Sequence, residues 1–97
     1  MVGALVAYLC QRIIGTEIQL IDINPARQVL ADALGVSFCT PEQAAEDQDL
    51  VIHASGHADG LATALRLAGM EGRIIEMSWF GNGNVSVPLG ALFIRGV

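Results

Sequence analysis

The strongest constraint in the 97-residue chain is an alternation. Short apolar, β-branched runs take turns with segments of helical period, and glycine, proline, asparagine or threonine stands at the junctions. Alternation over the whole length predicts an α/β fold, a parallel sheet covered by helices on both faces. Leu5, Val6, Leu9, Cys10 and Ile13 recur at three- and four-residue spacing and predict a helix over residues 3–14, closed at Gly15. Residues 17–23 read as a strand, followed by Asn24-Pro25, a cap with proline at the first helical position. The helix it opens runs over residues 25–34 and stops at Gly35, and residues 36–38 form a second strand. Thr40-Pro41-Glu42-Gln43 repeats the cap signature and predicts a short helix over residues 41–46. Residues 49–54 are nearly all apolar, as a strand buried on both faces should be. Residues 58–69 are rich in alanine and leucine and read as helix, and residues 72–77 read as a further apolar strand. Residues 80–84 form a turn-rich loop, and residues 93–97 read as the start of another strand.

Composition bounds what such a fold can do. With 53% apolar and 15% charged residues, the chain has material for a core and is expected to form one small domain. Its apolar runs fall short of the ~18 to 20 residues that span a bilayer, so no membrane partner is expected. A net charge of -5 repels a phosphate-rich polymer, which argues against nucleic acid. The first residues lack a signal peptide's positive region, and Cys10 and Cys39 are far apart, so a cytoplasmic location is expected.

Parallel sheets bind ligands at the carboxyl ends of their strands. Asp22 ends the first visible strand, where a dinucleotide fold needs an acid to accept hydrogen bonds from the adenosine ribose and to repel the extra phosphate of NADP. That acid lies about 20 residues beyond the glycine fingerprint, and Gly3 lies 19 positions before Asp22. Gly3 therefore fits the third glycine of G-x-G-x-x-G, with the first two falling ahead of Met1. The chain also opens on a helix where a doubly wound sheet begins with a strand. The expected fold is thus a Rossmann-type doubly wound parallel sheet, incomplete, with the first strand and the first part of the glycine loop missing. Taken alone, Asp22 also suits a polar strand end before a capped helix.

The runs Ile21-Asp22-Ile23-Asn24-Pro25-Ala26-Arg27, Ala33-Leu34-Gly35-Val36, Asp49 to Gly56 and Gly72 to Met77 together resemble the cofactor domain of the medium-chain dehydrogenase/reductase family, the zinc-type alcohol dehydrogenases and their relatives. The resemblance covers essentially the whole chain. It implies a partial NAD(P)-binding domain over residues 1–97, with NAD preferred over NADP. Asp22 matches the ribose-binding acid with Ile23 beside it, and Arg27 sits where a basic residue meets the adenosine end. Ala54 and Ser55 match the loop bordering the adenosine portion, and Met77, Ser78 and Trp79 the strand end whose backbone faces the nicotinamide. Gly3 completes the implied cofactor-binding set. The family's zinc is held by a separate catalytic domain of which no part is present, so no catalytic or metal-binding residue is expected here. The chain stops near the strand by which this family often pairs its cofactor domains, which implies a homodimer through a C-terminal edge strand.

Other reactive side chains fit simpler roles. Cys10, Cys39, His53 and His57 are zinc-ligand types without the close C-x-x-C spacing of a structural site. Cys39 has no identifiable base and reads as a loop or core thiol. Ser55 and His57 are too close in sequence to align for proton transfer. His53 reads as a packed or hydrogen-bonded histidine rather than a hydride-transfer acid or base, and Glu76 needs a donor, a sheet edge or a crevice. The reading that follows is the nicotinamide-dinucleotide-binding part of a zinc-type alcohol dehydrogenase-like oxidoreductase, inactive alone. The competing reading is a non-catalytic nucleotide-binding regulatory module or an inactive truncated gene product.

Overall fold

The computed structural model describes residues 2–78, 84–87 and 89–97. They form a mixed α/β structure with parallel strands, a Rossmann-like piece, arranged as two compact units, Met1–Ala44 and Ala45–Val97. Two of the expected segments, the loop at residues 80–84 and the strand end at Trp79, fall largely or wholly outside the described residues.

The first unit holds α1 (Val2–Cys10), β1 (Gln19–Ile21), α2 (Gln28–Leu34) and β2 (Ser37–Cys39), with 3-10 turns at Pro25–Arg27 and Pro41–Gln43. β1 and β2 pair in parallel, Gln19 opposite Ser37 and Ile21 opposite Cys39, and α2 makes the crossover between them. The Asn24 side chain accepts from Ala26 N at 3.0 Å, as an N-cap should. Gly35 ends α2 in the left-handed conformation, φ 71°, and Val36 N donates to Ala31 O at 2.9 Å. Ala4, Ala7, Ala31 and Val36 are buried.

α1 is shorter than its apolar period implies. After Cys10 the amides of Arg12 and Ile13 turn to carbonyls three residues back, and the Thr16 hydroxyl donates to Ile13 O at 2.7 Å and Cys10 O at 3.1 Å. These bonds satisfy carbonyls at the helix end, and Ile13 and Ile14 are left exposed beyond it. The expected helix over residues 41–46 is likewise only the 3-10 turn, because Ala44 is already extended.

The second unit holds β3 (Gln48–His53), α3 (Ala58–Leu67), β4 (Ala68–Glu76) and α4 (Leu89–Arg95). β3 and β4 are parallel, with Leu50 opposite Arg73 and His53 opposite Glu76. α3 packs against both strands. Alternation puts Leu50 and Ile75 on the face away from His53, and they are 47% and 42% exposed. The expectation of a strand buried on both faces is corrected accordingly.

The expected strand at residues 93–97 is helix α4 instead. The helical form carries Arg95 to the end of α3, where its guanidinium donates to Ala68 O at 2.6 Å and Leu65 O at 2.8 Å. Val97 N closes the turn onto Leu92 O, with Gly96 at φ 69°. Replacing Arg95 by methionine is expected to lower the unfolding free energy by about 1 to 3 kcal/mol, the scale of part-buried charged hydrogen bonds; urea unfolding monitored by circular dichroism measures it, and an unchanged midpoint would contradict the capping role.

Candidate functional site

In the first unit, the chain leaves β1 at Ile21 and turns sharply. The Asp22 backbone N–H bonds to Cys39 O at 3.3 Å, and its Oδ1 accepts from Asn24 N at 2.9 Å. One carboxylate oxygen is thereby fixed by the local turn, and Oδ2 has no partner among the described residues. Ile23 is 79% exposed, and Arg27 lies exposed at the end of the 3-10 turn with no ion-pair partner among the described residues. Gly3 lies in the first turn of α1 and is half-buried. Asp22 and Ile23 directly follow β1, and Arg27 ends the 3-10 turn that comes after them. Cys39, at the end of β2, is buried, and burial pushes its thiol up from the usual range.

In the second unit, the carboxyl ends of β3 and β4 carry a connected set of polar groups. His53 is 5% exposed and is the one buried polar side chain among the described residues. Its Nδ1 lies 2.6 Å from Glu76 Oε2, and its Nε2 lies 2.6 Å from Ser55 Oγ. Glu76 Oε1 accepts from Ser78 N at 2.7 Å, and Ser78 Oγ accepts from Gly56 N at 2.8 Å. Because Gly56 follows Ser55 directly, these contacts close a ring across both loops. A carboxylate only accepts, so Nδ1 carries a proton toward Glu76. The parallel register explains the assembly, since His53 and Glu76 stand opposite each other, and Ser55, two residues on, returns to the face of His53.

The ring fixes its own electrostatics. Burial pushes the Glu76 carboxyl up, but hydrogen bonds from His53 and from the Ser78 backbone and hydroxyl, with the His53 charge, outweigh it and hold the group below its usual 4.5. α3 packs over the ring at Gly60: a Cβ there would stand 2.2 Å from Ser55 Oγ and 2.7 Å from His53 Nε2, so only glycine fits this approach.

Of the expected site residues, Ser55 and Ser78 are brought together through this ring. Ala54 lies beside them, Met77 is 51% exposed and its amide bonds to His53 O at 2.9 Å, and Trp79 lies outside the described residues. The expected hydrogen-bonded role of His53 is met, and the donors that Glu76 needs are His53 and Ser78. The serine partner was missed: Ser55 bonds to His53, not to His57, whose amide instead donates to Ser55 Oγ at 3.2 Å. Among the described residues no three histidine, cysteine or acidic side chains converge as a metal site, and no helix is long and apolar enough to cross a membrane.

No model of a protein family matches the chain, and no curated protein does. Among solved structures, the chain is similar to alcohol dehydrogenase TADH from Thermus sp. ATN1, with a TM-score of 0.81 and 26% identity. The likeness covers 97% of this chain and 30% of that one, so the chain spans under a third of that enzyme's length.

A group whose carboxyl is held low in the folded state stabilises the fold above its unfolded pKa, and that contribution is lost as pH falls through the folded value. The stability advantage of the native chain over a Glu76→Gln variant is therefore expected to be constant near neutrality and to shrink as pH falls below the carboxyl's usual value of 4.5. Urea unfolding of both proteins from pH 7 to pH 3 measures it; a difference that does not narrow on acidification would contradict the ionised, hydrogen-bonded Glu76.

Proposed function

We propose that the chain is the nicotinamide-dinucleotide-binding part of a zinc-type alcohol dehydrogenase-like oxidoreductase, built as a piece of a doubly wound sheet. The observation that carries this reading is the likeness to an alcohol dehydrogenase over 97% of the chain. It is supported by Asp22 at the carboxyl end of β1, with one oxygen engaged by Asn24 N and the other open to a ligand.

In this reading the cofactor supplies hydride transfer, and the chain supplies binding and orientation. The unengaged Asp22 oxygen accepts from a ribose hydroxyl, and its charge disfavours the additional phosphate of NADP. Arg27 offers a cation beside the adenosine end. By the family resemblance, Ala54, Ser55, Met77 and Ser78 of the second unit and Gly3 of the first are further proposed cofactor-binding positions. The zinc and the substrate wall belong to a separate catalytic domain, so alcohol oxidation is not expected from this chain by itself.

The test is a titration of the isotope-labelled chain with NAD and with NADP, followed by amide chemical shifts. NAD is expected to bind with a dissociation constant of about 1 mM or tighter and to shift Asp22, Ile23 and Arg27. Asp22→Asn keeps an acceptor for Asn24 N while removing the charge, and it is expected to weaken NAD by about tenfold and narrow the gap between NAD and NADP. Absence of any shift with NAD, or equal shifts with both cofactors in the native chain, would contradict the reading.

A further inference from the structure

The ring at the ends of β3 and β4 has the connectivity of an acyl-transfer triad: serine on Nε2 and a carboxylate on Nδ1, both at 2.6 Å. Its surroundings do not fit a nucleophile. Ser55 Oγ already accepts from His57 N and lies under α3 at Gly60. The two amides that follow the serine, Gly56 and His57, are both engaged, one by Ser78 Oγ and the other by Ser55 Oγ itself. An acyl-transfer serine needs amide donors aimed at the developing oxyanion, and these two are committed inward.

The direction of the bonds points to a different role. The Gly56 amide donates to Ser78 Oγ, the Ser78 amide donates to Glu76, and the imidazole Nδ1–H donates to the same carboxylate. With the imidazole uncharged, the Ser55 hydroxyl donates to Nε2. Each donor points toward Glu76, so the loop after β3 and the loop after β4 are drawn onto one charge. Loops rarely have a scaffold of their own, and a ligand that touches two of them needs both held at once.

We infer that this ring is a clamp and that His53 is a positioning residue for the dinucleotide site, setting residues 54–57 and 77–78 in their binding shape. The inference rests on the proposed function for the identity of the ligand. His53 is suited to the role because imidazole has two ring nitrogens on opposite sides: one holds Glu76 on β4, the other Ser55 beyond β3. The close approach of Gly60 seals the ring from the helix side.

The experiment compares the native chain with Ser55→Ala, Ser55→Thr and Gly60→Ala by amide hydrogen exchange and by NAD titration. Ser55→Ala removes one link and leaves the rest of the ring in place. It is expected to speed exchange at Gly56 and at Ser78, the latter across the ring from the substitution, by about tenfold. Amides within β3 and β4 keep their protection, and NAD binding weakens by a similar factor. Ser55→Thr retains the hydroxyl and restores both readouts, whereas Gly60→Ala reproduces the loss by pushing Ser55 off His53. Unchanged exchange at Ser78 in Ser55→Ala would overturn the clamp. Faster exchange with unchanged NAD affinity would overturn the positioning role, and covalent labelling of Ser55 by a fluorophosphonate would overturn it in favour of a nucleophile. If the native chain does not bind NAD, the proposed function fails, a result separate from the exchange data, which need no ligand.

Discussion

An imidazole buried at the end of one strand, opposite a carboxylate at the end of its neighbour, sets the architecture of the second unit's carboxyl edge. Glu76 itself stays exposed, and hydrogen bonds from His53 Nδ1 and the Ser78 amide fix its carboxylate in place. The consequences spread outward. The loops must turn where Ser55 and Ser78 can reach, and α3 must present glycine at residue 60. The strands must also keep the register that places His53 against Glu76.

Helix termination follows a shared logic in the two units. Carbonyls at the end of an α-helix have no partner within it, and in each unit a side chain from another helix or its flank supplies one. Gln11 donates to Leu34 O at 3.1 Å at the end of α2, and Arg95 donates to two carbonyls at the end of α3. With cores made largely of alanine, valine and leucine, such contacts contribute order that apolar volume alone does not.

Local chemistry was legible in the sequence where it is decided by neighbours. Asn24-Pro25 opens a turn, Gly35 closes α2 in the left-handed conformation, and Asp22 stands at the carboxyl end of β1. What depends on distant partners was not. The period of α1 continues through Ile13, but the helix stops at Cys10 because Thr16 takes up its carbonyls. The apolar residues 93–97 suit a strand by composition, yet α4 forms and delivers Arg95 to α3. Ser55 lies next to His57 in kind and close in sequence, but strand alternation gives it to His53. The oddity of Glu76 on an apolar strand was the one signal of the ring, and its partner is 23 residues away.

The most direct test of the ring is the protonation pattern of its imidazole. A long-range nitrogen–proton spectrum of the chain with labelled histidine, taken near pH 8 where ordinary imidazole is uncharged, distinguishes the two ring nitrogens of His53. The structure requires a proton on Nδ1, facing Glu76, and it requires that a Glu76→Gln substitution disturb this state. An unprotonated Nδ1, or rapid exchange between both tautomers in the native chain, would contradict the hydrogen-bonded ring on which the account is built.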